Sequence, residues 1–417
     1  MAETHVEARN AIRLRVGRRL REAGIDALVS YNPANVFYLS GYRSYFASEW
    51  ARFYGCAVAL LPADPGTPPG LMAPSVEEPP AREQSGWDDV RSFSMWIESR
   101  NLDVITRPLS AGESDITRPE WYDPDEQDAI LREMLGDRGL LESRLAIEMD
   151  MVSAAFLERM HRLAPAAQWV DFSKEMFDMR AVKEPFEVDL LRATTELLEA
   201  GIVHARDRLA AGSTAAQARN LYLEGVLNAV AADPVGFAGF TDFWMITSVG
   251  SEGKIQVARG DTGMRAGDLV KFDGGATVGG YTGDGGRTFV FGRPSEPAAR
   301  LHATLLEAFH KAQEMLRPGT RISDLFQSAQ RHMNEHGYPR YRRGQFGHSL
   351  GIESFPEEPP YLSPYEHRLM EPGMVFALET PYYGSDVGSI MIEDLFVITE
   401  RGYERLNRLP LDLVSLG

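Results

Sequence analysis

Asp273 and Asp284 flank a glycine-rich stretch, residues 274–283, and Glu379 and Glu393 flank residues 380–392. In an antiparallel hairpin, residues equidistant from the turn lie opposite one another and point to the same face. Mirror positions about the midpoint between Val278 and Gly279 set Asp273 opposite Asp284. Mirror positions about Asp386 set Glu379 opposite Glu393. Four carboxylates gathered in an interior repel one another and require compensating cations. Two divalent metals supply four positive charges against four negative ones, so this chain is a candidate two-metal enzyme.

The surroundings of these acids sharpen that expectation. Asp273 closes the run Leu269-Val270-Lys271-Phe272, and Asp284 precedes Arg287-Thr288-Phe289-Val290-Phe291. The glycines between them let the backbone turn tightly and leave room for ions, although an acidic surface turn has the same composition. Glu379 and Glu393 lie inside apolar, strand-like runs, where an unpaired charge is costly. His348 stands between Gly347 and Gly351. Imidazole is a common ligand of divalent transition metals, and a lone histidine is also a common structural residue. Arg340, Arg342 and Arg343 precede that histidine and offer either a clamp for a substrate carboxylate or a solvated basic turn. Phe237, Phe240, Phe243 and Trp244 either wall a pocket or belong to the core, and Tyr382 and Tyr383 either line the site or pack beneath it.

Elements that position these residues can be read from periodicity. Ile12, Val16 and Leu20 predict a helix over 8–23 that stops at Gly24. Residues 27–30, 55–61 and 145–148 read as strands. Residues 62–80 are proline-rich and loop-like, and residues 110–128 read as an irregular excursion. A boundary falls at 179–185, followed by a helix that opens on Pro185 and runs to Gly212. Strands and glycines follow residue 240, then helices over 296–316 and 321–336, then strands to the end. The prediction is α+β, with two domains at 1–180 and 181–417.

Bulk composition excludes some functions. A chain of 417 residues exceeds one ordinary core, and 44% hydrophobic with 25% charged residues is a globular balance. A net charge of −17 argues against nucleic acid as a partner, because phosphate contact needs a basic face. The single cysteine, Cys56, allows no intrachain disulfide and reads as a core residue. No run of about 18 apolar residues is present, so no membrane span is expected, and the cytoplasm is the default location.

Taken in order, Asp273, Asp284, His348, Glu379 and Glu393 resemble the five metal ligands of the pita-bread metallopeptidases. That group includes methionine aminopeptidase, Xaa-Pro aminopeptidase, prolidase and creatinase. The matching contexts are Gly267-Asp268-Leu269-Val270, Gly280-Tyr281, Arg287-Thr288-Phe289, Gly347-His348, Glu371-Pro372-Gly373-Met374 and Ile392-Glu393-Asp394. The run Asn32-Pro33-Ala34-Asn35-Val36-Phe37-Tyr38-Leu39-Ser40-Gly41-Tyr42 resembles the creatinase/prolidase N-terminal domain, an α/β domain. The resemblance implies a C-terminal pita-bread catalytic domain that binds two divalent ions, Mn, Fe, Co or Zn. Asp273 would hold one ion, His348 and Glu379 the other, and Asp284 and Glu393 would bridge them. Glu379 would also move the proton of the attacking water, making Glu379 and His348 the catalytic pair. The implied activity is hydrolysis of a C–N bond, of Xaa-Pro aminopeptidase or dipeptidase type, on a small peptide, by a homodimer.

Departures from the family pattern open an alternative. The family usually carries two further histidines around the substrate, and Gln256 and Phe355 stand at those places. Glutamine exchanges no proton at neutral pH, and phenylalanine neither donates nor accepts. A relative acting on a small metabolite, such as an ectoine hydrolase, a creatinase or a dimethylsulfoniopropionate lyase, is the second reading. Gln256, Phe355, Arg343, Tyr281 and Trp244 are the candidate substrate contacts. In family dimers the region of Trp50 and Arg52 reaches the neighbouring site.

Overall fold

The computed structural model describes residues 2–49, 55–110, 118–250, 263–353 and 357–416. Trp50, Arg52, Gln256 and Phe355 lie outside the described residues. The chain divides into two compact units, Met1–Met179 and Arg180–Gly417.

Within the first unit, the helix Ala2–Glu22 buries Ile12, Val16 and Leu20 on one face and gives way to Gly24 at φ +65°. Six strands form a mixed sheet: β1 (Ala27–Ser30), β2 (Val58–Pro62), β3 (Gly70–Pro74), β4 (Asp89–Phe93), β5 (Arg144–Ile147) and β6 (Gln168–Asp171), in the order β4-β3-β2-β1-β5-β6. The proline-rich stretch is not the loop expected at 62–80. It contains β3 and the start of the helix Glu78–Ser85, because prolines fall at strand ends and in the first helical turn, where no donor is needed. The excursion expected over 110–128 likewise yields from Pro124 to the helix Pro124–Gly136. Asn32 caps the helix Pro33–Ser40 by accepting from the backbone N–H of Ala34 and Asn35. Glu148, fully buried at the end of β5, accepts from Ser30 Oγ, Tyr31 N and Asn35 Nδ2 and fixes that helix to the sheet edge. Cys56 is buried in this core, and burial pushes its thiol up to about 12, so no thiolate forms there.

The second unit is α+β. Ten strands belong to one sheet: β7 (Phe240–Val249), β8 (Leu269–Val278), β9 (Tyr281–Thr282), β10 (Gly285–Phe291), β11 (Gly347–Ser349), β12 (Glu358–Tyr361), β13 (Val375–Glu379), β16 (Glu393–Ile398), β17 (Tyr403–Arg405) and β18 (Val414–Leu416). Its main path is β12-β11-β13-β16-β10-β8-β7, and β14 (Tyr382–Tyr383) pairs with β15 (Ser389–Ile390) as a separate ribbon. Helices Pro185–Arg206 and Ala215–Ala232 pack their apolar faces on Met245, Val270, Phe272 and Phe289. Helices Glu296–Gln313 and Ile322–Glu335 pack on Phe346, Phe376, Leu378 and Phe396. The first of these four helices ends at Arg206, ahead of the expected stop at Gly212. The second was not anticipated, although Thr214 and Gln217 form a reciprocal capping box at its start.

Hairpin geometry decides how the acids meet. Gly279 and Gly280 occupy a two-residue turn at φ +57° and +82°, a pair of positive values that other residues adopt only under strain. The resulting register pairs Val278 with Tyr281 and Asp273 with Gly286. Asp273 therefore does not face Asp284 as mirror counting suggested. The turn sits one residue later than the chosen midpoint, which shifts the partner by two positions, and a shift of two keeps both carboxylates on the same face. Glu379 does pair directly with Glu393.

Close approach of β8 to the Asp284 strand also requires glycine. A Cβ on Gly275 would meet the Gly283 carbonyl oxygen at 1.9 Å. Gly275→Ala is therefore expected to cost about 1–3 kcal/mol by overpacking, read as a lower denaturation midpoint in urea. An unchanged midpoint would show that the hairpin has slack.

Candidate metal centre

The five acids and bases singled out in the sequence converge. Asp273, Asp284, His348, Glu379 and Glu393 all line one cavity of about 510 Å³ in the second unit. Each is at least nine-tenths buried. Asp273 comes from β8, Asp284 from the junction of β9 and β10, His348 from β11, Glu379 from the end of β13 and Glu393 from the start of β16. Adjacency of β11, β13, β16, β10 and β8 places these five side chains in one row across the sheet.

Three of them form the tightest group. Asp284, His348 and Glu393 bring one ligand atom each within 4.8 Å of one another. His348 Nδ1 donates to the Ser349 carbonyl at 2.8 Å, which turns Nε2 toward the acids, 3.5 Å from Asp284 Oδ2. Gly285 N donates to Asp284 Oδ1 at 2.8 Å and orients that carboxylate. Glu393 Oε2 is buried and has no hydrogen-bond partner among the described residues. Gly347, at φ +132°, lets β11 run so close to β13 that a Cβ there would meet the Ala377 carbonyl oxygen at 1.9 Å.

Protonation reports the same crowding. Burial, reinforced by Asp273 and Glu379 and opposed by His348, lifts the Asp284 carboxyl to about 7. Burial and then the Asp284, Asp273 and Glu379 carboxylates raise Glu393 well above the usual carboxylate range. Glu379 is raised by burial, against the pull of Arg343 and His348. Burial alone would lower His348, but Asp284 outweighs it and holds the imidazolium up to about 9. Protons thus stand where positive charge is needed. A buried carboxylate oxygen without a partner among the described residues, beside a carboxylate and an imidazole nitrogen aimed at the same point, fits a divalent cation.

Two basic side chains modify the expected charge balance. Lys271, with no solvent exposure, donates from Nζ to Asp273 Oδ2 at 2.8 Å. Arg343 donates to Glu379 Oε1 at 2.6 Å and from Nε to the Gln345 carbonyl at 3.0 Å. Four acids therefore do not depend on metal alone for compensation, as their count in the sequence suggested. Lys271 was missed because it lies in an apolar run. Its signal was its place two residues before Asp273, on the same strand face.

Other expected contacts divide. Trp244 lines the cavity and donates from Nε1 to the Gly283 carbonyl at 3.2 Å. Tyr383 lines it beside Lys271 and Arg343, with its ring centroid 5.4 Å from the lysine nitrogen. Arg343 also borders it, already paired with Glu379. Tyr281 does not line it: fully buried, it donates to Glu187 at 2.8 Å and fastens the first turn of the helix Pro185–Arg206 to the hairpin. Arg340 and Arg342 are exposed. Phe237, Phe240 and Phe243 pack against the apolar core, and Tyr382 donates to Asp386 at 2.9 Å outside the cavity. Glu357 and Gln345, joined at 2.9 Å, also line the cavity and were not anticipated.

Comparison with known proteins gives these residues a context. Residues 189–400 match the model of metallopeptidase family M24, and residues 13–182 match the creatinase/prolidase N-terminal domain. The Bacillus subtilis (strain 168) protein YkvY is 27% identical over 402 residues, spanning 96% of this chain and 99% of its own length. An Xaa-Pro dipeptidase from Pyrococcus horikoshii is 27% identical over 263 residues, 62% of this chain and 72% of its own. The fold matches the X-Pro aminopeptidase of Thermotoga maritima MSB8 with a TM-score of 0.76 at 21% identity, covering 97% of this chain and 99% of that one. Among the described residues, no helix is long and apolar enough to cross a membrane. A creatinase/prolidase N-terminal domain followed by a catalytic unit that the family model spans makes this chain a metal-dependent hydrolase, and it belongs to metallopeptidase family M24.

Proposed function

We propose that this protein is a divalent-metal hydrolase that cleaves the C–N bond of a short peptide, of Xaa-Pro dipeptidase or aminopeptidase type. The observation that carries this reading is the convergence of Asp284, His348 and Glu393 on one buried point beside Asp273 and Glu379. All five would hold the divalent metal of a two-cation centre in residues 181–417. Mn, Fe, Co and Zn each suit oxygen-rich ligation with one imidazole. Bound there, a divalent ion supplies Lewis acidity to the scissile carbonyl.

The remaining steps belong to the chain's own side chains. Glu379, oriented through Oε1 by Arg343, accepts the proton of the attacking water on its carboxylate and returns it to the leaving nitrogen. Burial raises its pKa above the usual carboxylate range, which strengthens it as a base. His348 is held in one ring orientation by the Ser349 carbonyl. Trp244 and Tyr383 wall the cavity, whose size is within the range of small-ligand sites. Arg343 is the candidate for the substrate carboxylate, and Gln256 and Phe355 for contacts where relatives carry histidines. The single, buried Cys56 supports a cytoplasmic setting, and the homodimer is carried over from the family.

Gln256 and Phe355 also favour a second reading, hydrolysis or elimination on a small metabolite, because neither side chain relays a proton. Metal quantitation coupled to a substrate panel separates the two. Turnover of Gly-Pro or Xaa-Pro peptides by metal-loaded protein is the expected result. Peptides left intact while a small amide or sulfonium compound turns over would favour the second reading, and full activity in metal-free protein would sink both.

A further inference from the structure

Glu357 and Glu358 are adjacent acids with different fates. Glu358 opens β12, is buried, and accepts from the backbone N–H of Ile352 at 2.8 Å and of Glu353 at 3.1 Å, with Arg180 at 2.6 Å. Its charge is met inside the fold. Successive side chains of an extended chain point to opposite faces, and Glu357 turns the other way, into the cavity of the metal centre. The pairing of Ser349 with Glu358 keeps it next to the strand that carries His348.

The charge of Glu357 has no such match. The residue is half-buried, and its Oε2 accepts from the neutral amide of Gln345 at 2.9 Å. Among the described residues no lysine or arginine pairs with it, and Oε1 has no partner. Arg343, the one arginine or lysine that lines the cavity among the described residues, is committed to Glu379 and to the Gln345 carbonyl. Glu357 also acts on the centre itself, since its charge is among those that hold up His348 and Glu379. A positive group on a ligand is the partner that this carboxylate lacks.

We propose that Glu357 is a specificity-determining residue whose carboxylate binds the protonated amine of the peptide substrate. This deepens the reading given under the proposed function and rests on it. A hydrogen bond between two charged groups changes affinity by about ten- to a hundredfold. The contact lies away from the scissile bond and is made alike before and during the reaction, so it is felt in KM more than in kcat. Acetylating the amine keeps the scissile bond and the terminal carboxylate but removes the cation.

Metal-loaded full-length protein assayed on Gly-Pro and N-acetyl-Gly-Pro tests this, in the native sequence and in Glu357→Gln and Glu357→Ala. Glutamine keeps the acceptor for Gln345 and loses the charge, and alanine removes both. The readout is the ratio of kcat/KM for the two substrates, from which any contact of the amine with metal cancels between variants. The native protein is expected to prefer Gly-Pro, and each variant to lose about ten- to a hundredfold of that preference through KM. A purely structural role would lower both substrates together and leave the ratio in place. A native ratio near one, or a ratio that a folded variant keeps, would overturn the proposal. Calorimetric binding of the same two compounds to chelator-stripped native protein and variants yields the ratio without turnover. Peptides left uncleaved by the metal-loaded native protein would sink the peptidase reading, and the calorimetric ratio then decides on Glu357 by itself. Gly-Pro that fails to bind, or binds no better than its acetylated form, would overturn the assignment of Glu357 as well.

Discussion

Asp284→Asn is expected to lower turnover by about a thousandfold or more and to abolish retention of metal, while leaving the fold intact. The substitution keeps the shape of the side chain and its acceptor for Gly285 N but removes the charge that faces His348 Nε2 and Glu393. Lewis-acid assistance is worth several kcal/mol, and each ~1.4 kcal/mol is a factor of ten in rate. The asparagine also relieves the repulsion that burial and Asp273 and Glu379 impose on Asp284, so thermal stability without metal should hold or rise. Steady-state kinetics beside metal analysis of the same sample is the check. Turnover within tenfold of the parent, with metal retained, would remove Asp284 from the centre.

Arg287→Met is expected to cost about 3–5 kcal/mol of stability. Arg287 is 4% exposed and holds together strands that have little else in common. Its Nη1 donates to the carbonyls of Gly286 and Glu393 at 2.7 Å, Nη2 donates to Asp394 at 2.6 Å and to the Leu409 carbonyl at 2.9 Å, and Nε donates to the Pro410 carbonyl at 3.0 Å. The ladder between β10 and β16 is registered at one residue pair, Gly286 with Glu393. Removing the guanidinium strands several buried carbonyls and leaves Asp394 with Arg405 as its ion-pair partner among the described residues. For a unit of this size the loss corresponds to a fall of roughly 6–20 °C in melting temperature. Metal affinity should fall with it, because Glu393 is positioned by the same contact. The exposed pair of Arg192 with Glu404 offers the control, since Arg192→Met should cost at most about 1 kcal/mol. Equal losses from the two substitutions, by differential scanning calorimetry, would show that Arg287 is not the stitch between these strands.

Much of the site was legible because its residues break the local pattern. A carboxylate inside Ser389-Ile390-Met391-Ile392-Glu393 or Val375-Phe376-Ala377-Leu378-Glu379 cannot be left alone in an interior, so function is the economical explanation. Helices were legible where apolar residues repeat along one face, as for Ile12, Val16 and Leu20. They were hidden where the signal is confined to a cap, as at Thr214 and Gln217, or where proline reads as loop and proves to be a helix start, as at Pro79 and Pro124. Tyr281 illustrates the opposite error. It belongs to a family motif and lies three residues from Asp284, yet strand alternation sends it to the helix-facing side, to Glu187.

The linear chain determined which side chains had to be compensated, since a charge inside an apolar run carries its cost wherever the run folds. It also determined that Glu379 meets Glu393, because a hairpin ties pairing to distance from the turn. Tertiary structure alone decided that Asp273 faces Gly286, because the positive φ angles of Gly279 and Gly280 fix the turn and the turn fixes the register. Lys271 reaches Asp273 by strand alternation, but only the assembled sheet brought Arg343 onto Glu379. Coulomb energy depends on separation in space, and no sequence rule measures the distance of residue 343 from Glu379.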